Sequence, residues 1–126
     1  MKITPLLTLA LVLAGCSSND YQVVKPFASS EDIEMVQQQF AEVENLDVSD
    51  DGYISYYTWN EEGFRWNTSA IKKMSNEWAC NEMIEYLQHG FVIKIGFKGK
   101  GGREEHFDLN RCTNNTDETN ENKVDG

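Results

Sequence analysis

Apolar residues recur at the spacing of an α-helix in the segment that begins at residue 31. The stripe has spacings of three and four, and its members are Ile33, Val36, Phe40, Val43 and Leu46. This period predicts an amphipathic helix of about 15 residues that faces a core. Ser30 precedes two acidic residues and marks the helix start, because a capping hydroxyl and first-turn acids both stabilise the N-terminal end of a helix.

The following segment has the composition of β-strands. Residues 53–59, YISYYTW, and residues 64–68, FRWNT, are rich in aromatic and β-branched side chains, and Asn60 to Gly63 separate them. Asn at the first turn position and Gly at the fourth favour a tight connection between strands. The pattern therefore predicts a β-hairpin.

A second helical region and a second hairpin complete the pattern. Residues 69–90 have helical composition, with a break near Asn81 and a stop at His89 and Gly90. In residues 91–98, FVIKIGFK, large apolar side chains occupy every second position, which predicts a half-buried strand. After GKGG the chain is predicted to return through residues 103–112 as the partner strand.

Together these segments predict one α+β domain over residues 31–112. We expect a small antiparallel sheet of about four to five strands, packed against three to four helices. Residues 113–126 carry almost no apolar side chains, so we expect a disordered acidic tail.

The N-terminal residues have the pattern of an export signal. Residues 1–15 combine Lys2, an apolar run too short to span a bilayer as a helix, and small residues at the end. The form LAGC, residues 13–16, resembles the lipobox of bacterial lipoproteins, in which the cysteine is acylated after the signal is removed. The resemblance implies lipidation of Cys16 and an acylated tether over residues 16–30. An ordinary secretory signal with an incidental cysteine is the alternative.

The residue after the lipidated cysteine indicates whether a bacterial lipoprotein stays in the inner membrane or moves to the outer membrane. By resemblance to that family, an Asp at this position would be a signal for retention in the inner membrane, but this chain has Ser17. We therefore expect an outer-membrane anchor through the acyl chains of Cys16, with the domain facing the periplasm. Two or more acyl chains hold a protein stably on a membrane, whereas one does so only marginally.

The net charge restricts the class of partner, and the number of cysteines restricts how Cys80 and Cys112 are used. The formal net charge of −10 makes nucleic acid a poor partner, because nucleic-acid binding depends on clustered Lys and Arg. Cys80 and Cys112 form an even pair in an oxidising compartment, which predicts a disulfide bond. The alternative is a metal pair completed by His89 and His106, but the chain has no CxxC spacing.

The polar segments were the places to look for calcium ligands and catalytic groups in this chain. The loop DVSDDGYISYYT resembles a calcium-binding EF-hand loop, with Asp47, Ser49, Asp51 and Tyr53 as candidate ligands. Its twelfth position, where a bidentate Glu is required, is Thr58, so any such site would be weak. The chain has no GxSxG or HExxH motif and no free nucleophilic cysteine. We therefore expect neither an enzyme nor a cofactor.

The order of lipobox, tether, helix, aromatic segment, Cys-bearing helix, hairpin and second Cys resembles the α/β pilotin lipoproteins of bacterial type II secretion systems, often called AspS-type. The resemblance is most specific from Glu77 to Cys112. It implies that the protein binds the C-terminal segment of a secretin subunit and aids its targeting to the outer membrane and its assembly there. Alternatives are an envelope lipoprotein with another protein partner, or a weak calcium-binding lipoprotein.

The aromatic residues suggest where a partner would bind. Four rings exceed what a small core needs, and they belong to Trp59, Phe64, Trp66 and Trp78. Interface energy concentrates on such side chains, so we expect a groove between the central helices and the sheet, lined by some of them. A partner segment would lie there as a helix or add a strand to a sheet edge, and the acidic chain favours a segment with Lys or Arg.

Overall fold

The computed structural model describes residues 22–114 of the chain. The predicted signal peptide (1–15), the lipidation of Cys16 and most of the predicted tail (113–126) lie outside the described residues. Within residues 22–114, no helix is long and apolar enough to cross a membrane.

The described chain forms an α+β domain, which confirms the predicted fold class. Its elements in chain order are α1 (Ser30–Gln39), β1 (Leu46–Val48), β2 (Tyr53–Trp59), α2 (Thr68–Glu77), a π-helical turn (Trp78–Glu82), α3 (Ile84–Gln88), β3 (Val92–Lys98) and β4 (Glu104–Phe107). Residues 109–114 are also helical. The strands form a four-stranded sheet in the order β1-β2-β3-β4.

The sheet is mixed, whereas an antiparallel sheet was predicted. The outer pairs β1–β2 and β3–β4 are antiparallel, but the central pair β2–β3 is parallel, with Tyr53 opposite Val92 and Trp59 opposite Lys98. A parallel pair needs a long crossover, and the segment through α2 and α3 supplies it. The chain thereby returns to the end of the sheet from which β2 started.

The predicted hairpin over residues 53–68 is wrong in its second arm. Its first arm is β2, but residues 64–67 form no strand, and the antiparallel partner of β2 is β1, which precedes it. The Asn60 N–H donates to the Lys98 carbonyl, so the chain crosses the end of β3 instead of turning back beside β2. β1 itself comes from the end of the predicted 15-residue helix.

The first helix is shorter than its apolar stripe predicts. Ser29, not Ser30, caps it, accepting a hydrogen bond from the Asp32 N–H, and the helix ends at Gln39. Asn45 has a left-handed conformation, with φ 64°, and Leu46 then begins β1 opposite Tyr56. The last member of the stripe therefore has helical spacing only by coincidence.

The disulfide between Cys80 and Cys112 is present, with its Cα atoms 5.3 Å apart. Cys80 lies in the π-helical turn, close to the predicted helix break. Cys112 lies in the helical segment 109–114, whereas it was predicted to close a strand. The strand ends at Phe107 because the Asp108 carboxylate accepts a hydrogen bond from the Arg111 N–H, as a helix-capping residue does.

One hydrophobic core lies between the helices and one face of the sheet. Its fully buried members include Ile54 and Ile93, opposite each other on β2 and β3, and Phe107 of β4. From the helical side, Ile71 and Leu87 pack against them. Because side chains alternate along a strand, Tyr53, Ser55 and Tyr57 of β2 point to the opposite face.

Residues 22–29, which we call the N-terminal strap, pack against one end of the sheet. The Val24 N–H donates to the Asp108 carboxylate at 3.1 Å, and the Phe27 N–H donates to the Gly90 carbonyl at 2.9 Å. Gly90 has φ 94°, and a Cβ there would lie 2.8 Å from the Ala28 nitrogen. A glycine is thus required both by the helix stop and by the close approach of the strap.

A candidate partner-binding groove between helix and sheet

An open groove of about 220 Å³ separates α2 from the sheet. It is lined by Tyr56 and Thr58 of β2, Ile95 and Phe97 of β3, Met74 and Ser75 of α2, and Trp78. The four strand residues stand in register as two neighbouring pairs, because Tyr56 is opposite Ile95 and Thr58 is opposite Phe97. The floor of the groove is therefore the helix-facing side of the central strand pair.

Ser75 explains why the helix and the sheet leave space here. It is a buried position of α2, only 1% exposed, where a large apolar residue would ordinarily fill the core. Its hydroxyl donates to the Lys72 carbonyl of the same helix at 3.2 Å, so the polar group is satisfied without a partner from the sheet. A side chain this short does not reach across the groove.

The walls of the groove are aromatic and flexible apolar side chains. The rings of Tyr56 and Trp78 pack against each other, with centroids 5.3 Å apart. Met74 is 46% exposed on the helical rim. Methionine adapts its shape to a partner more readily than branched side chains do, and it is favoured on surfaces that bind apolar segments. The groove thus offers one rigid wall and one adaptable wall.

The four predicted partner-binding residues lie in different places. Trp78 lines the groove. The Trp66 indole N–H donates to the Lys98 carbonyl at 2.8 Å, and its ring packs edge-on against Phe97, so Trp66 holds the loop after β2 onto β3. Phe64 is 62% exposed in that loop, and Trp59 is 58% exposed on the face of β2 that points away from the helices.

Sequence reasoning missed Tyr56, Met74 and Ser75 as groove residues. Met74 is exposed on the rim, and the buried positions of α2 are Ile71 and Ser75. The signal available in the sequence was the alternation of Ile54, Tyr56 and Thr58, which places all three on one face of a strand. The identity of the neighbouring strand was required to turn that alternation into a groove.

Both edges of the sheet are partly closed to an added strand. On β1, the Gln37 side-chain amide donates to the Val48 carbonyl at 3.1 Å. On β4, the Arg111 guanidinium donates to the His106 carbonyl. These edges are also short, with three residues in β1 and four in β4. Capped and short edges are how proteins discourage strand pairing, so the edges are poorer docking sites than the groove.

The candidate calcium loop is the turn of the β1–β2 hairpin. Asp47 lies opposite Ser55, and the Ser49 N–H donates to the Tyr53 carbonyl, an oxygen that a calcium loop would direct at the ion. The Ser49 hydroxyl in turn accepts from the Tyr53 N–H at 3.0 Å. Across residues 22–114, no three His, Cys, Asp or Glu side chains are grouped so that they could hold a metal ion.

A buried ionic cluster on β4 is structural rather than part of the groove. Glu105 is 4% exposed and lies 2.9 Å from both the Arg103 and the Arg111 guanidinium groups. Arg111 also stacks over the Phe107 ring. Its contacts to β4 and to Glu105 fasten the helical segment that carries Cys112 against the sheet edge.

The groove is lined by apolar and uncharged polar side chains. Apart from the Tyr56 phenol, none of its lining side chains ionises. It is open on one side, as a site for a partner's side chains must be. Comparisons with protein-family models, with curated protein sequences and with solved structures found no match.

Proposed function

We propose that this protein is an outer-membrane lipoprotein that acts as a pilotin. It would bind the C-terminal segment of a type II secretion secretin and aid the secretin's targeting and assembly. The observation that carries the binding half of this proposal is the apolar groove between α2 and the β2–β3 pair. The LAGC sequence that ends at Cys16 supports the anchoring half.

The groove favours a helical partner segment over an extended one. A helix presents apolar side chains at i, i+3 and i+4, which suits insertion into a groove beside another helix. An extended segment would need free backbone groups at a sheet edge, and the Val48 and His106 carbonyls at the two edges already accept side-chain hydrogen bonds. Of the two binding modes expected from the sequence, helix-in-groove is therefore the one we propose.

The charge of the chain bears on the speed of binding. With 21 acidic and 11 basic residues, the chain attracts a segment that carries Lys or Arg. Long-range attraction of this kind raises the association rate more than the affinity, and salt screens it. The apolar groove would supply most of the affinity.

Peptide titration tests the binding half. The full lipoprotein, purified in detergent, is titrated with synthetic C-terminal peptides of the organism's secretins, and tryptophan fluorescence is followed because Trp78 lines the groove. Met74→Ala should weaken binding by roughly 1–3 kcal/mol, the usual cost of truncating an interface anchor. Met35→Ala is the matched control, because Met35 is a 59% exposed methionine on α1, outside the groove.

Two outcomes would end the pilotin proposal. One is the absence of binding by any secretin peptide at high micromolar concentration, together with normal secretin multimers in the outer membrane of a deletion strain. The other concerns the anchor. Cys16→Ala should leave an uncleaved or soluble form, and its normal fractionation with the outer membrane would remove the lipoprotein half.

A further inference from the structure

The strap carries two exposed apolar side chains that have no role in the core. Phe27 is 74% exposed and Val24 is 49% exposed, while Pro26 and Ala28, on either side of Phe27, are half-buried and turn inward. The inward positions meet Gly52, where a Cβ would lie 3.0 Å from the Pro26 Cβ. The strap is thus fixed on its inner side, and its exposed side carries two apolar side chains among polar ones.

The strap crosses the end of the sheet at which three chain turns meet. Gly52 immediately precedes β2, Gly90 lies two residues before β3, and Asp108 immediately follows β4. Since β2 and β3 start at this end and the antiparallel β4 finishes there, all three points lie at the same end of the sheet. Hydrogen bonds from Val24 and Phe27 to two of them hold the strap in place.

The distance from the proposed anchor is short. Eight peptide steps separate Cys16 from Val24, and a fully extended chain advances at most about 3.6 Å per residue, so the two lie within about 29 Å. An acyl anchor on Cys16 would therefore keep Val24 within about 29 Å of the bilayer, and Phe27, three residues farther along, within about 40 Å. The lipid bilayer is therefore an apolar environment that the exposed side chains of Phe27 and Val24 can reach.

We infer that the outer side of the strap rests on the membrane, with Phe27 and Val24 entering the bilayer interface. This inference rests on the proposed acylation of Cys16. Lys25 lies between the two apolar residues and is exposed, which suits a cation at the level of the lipid headgroups. Acyl chains and interfacial side chains would then act together to fix the orientation of the domain as well as its location.

The inferred orientation leaves the groove accessible. The groove begins at Tyr56 and extends past Thr58, which lie three and five residues along β2 from Tyr53 at the strap end. At about 3.3 Å per residue, this places it some 10–16 Å along β2 from the end of the sheet that the strap covers. A partner in the groove would thus approach from the aqueous side without displacing lipid.

Quenching by brominated lipids tests the inference. The full acylated lipoprotein is reconstituted into phosphatidylethanolamine–phosphatidylglycerol vesicles with and without brominated acyl chains, as wild type, Phe27→Trp and Met35→Trp. Met35 is 59% exposed on α1 and serves as the matched control. We expect a larger quenched fraction of emission in Phe27→Trp than in wild type, and no increase in Met35→Trp. The quenching should persist in wholly zwitterionic vesicles, because apolar side chains carry the contact.

Each contrary result has a distinct meaning. Equal quenching in Phe27→Trp and Met35→Trp, in protein whose Cys16 acylation is verified by mass, would overturn the inference and leave the pilotin proposal intact. An unacylated Cys16 would overturn both the inference and the lipoprotein proposal. If a secretin peptide, rather than lipid, shields position 27, the strap belongs to a protein interface and the inference fails.

Discussion

Replacing Ser75 by Leu should fill the groove. This substitution should abolish peptide binding while it changes the free energy of unfolding little. Ser75 is buried in α2 and lines the groove together with Tyr56 and Ile95, so a leucine there would add hydrocarbon among these side chains. The added hydrocarbon gains about 0.8 kcal/mol per fully buried methylene equivalent, and roughly half of that in a groove open on one side. Three additional carbon atoms therefore contribute on the order of 1 kcal/mol.

Two smaller terms accompany this gain. Leucine has a better helix propensity than serine, by a few tenths of a kcal/mol. The lost hydroxyl bond to the Lys72 carbonyl costs about 0.5–1 kcal/mol. The net change in the free energy of unfolding should lie between about zero and +1 kcal/mol. Binding, by contrast, should be lost, because the space that receives the partner's side chains is occupied.

The assay combines two measurements on the same protein. Urea denaturation gives the free energy of unfolding, and peptide titration by tryptophan fluorescence gives the affinity. Ser75→Ala is the matched control, because it removes the hydroxyl and leaves the groove empty, so it should still bind. A Ser75→Leu variant destabilised by more than about 2 kcal/mol would show that no space exists beside α2. A stable variant that binds as wild type does would show that the groove is not the site.

The remaining predictions concern the fold and the calcium alternative. Cys112→Ser should lower the free energy of unfolding by roughly 3–4 kcal/mol, since the bridge spans a sequence separation of 32, and equal denaturation midpoints with and without reductant would contradict this. Gly90→Ala should cost at least 1 kcal/mol, because its φ of 94° is strained for alanine and its Cβ would meet the strap backbone; an unchanged urea midpoint would refute it. Millimolar calcium should leave the melting temperature unchanged, since Thr58 supplies no bidentate carboxylate, and a clear rise would favour the EF-hand alternative.

Features set by local sequence were predictable from the chain. The helical segment ending at Gly90 was recognised because a glycine in the left-handed region is a common helix stop, and Gly90 has φ 94°. The strand FVIKIGFK was recognised from its alternation, and β3 covers Val92–Lys98. The disulfide followed from the pairing of the last two cysteines and is present.

Features that depend on distant partners were not predictable. Nothing near residues 53–59 indicates that this strand pairs in parallel with residues 92–98, and local sequence therefore predicts pairing with the nearest β-rich segment instead. The same limit applied to the groove. Trp66 has an aromatic side chain like that of Trp78, but only the position of the Lys98 carbonyl shows that its indole is used to hold a loop. Composition shows that the chain has more aromatic side chains than the core needs. It does not show which of them hold the fold together and which are available to a partner.

The parallel pairing of β2 with β3 has a consequence for the order of folding. The β1–β2 hairpin is local and can form early, but β3 can join β2 only after the crossover through α2 and α3 is closed. Cys80 lies within that crossover and Cys112 lies beyond β4, so the bridge encloses α3, β3 and β4 but neither β1 nor β2. Oxidation can therefore lock the unit from Cys80 to Cys112 before β3 joins β2. Thiol labelling during oxidative refolding would contradict this order if both cysteines stayed reactive until the whole sheet had formed.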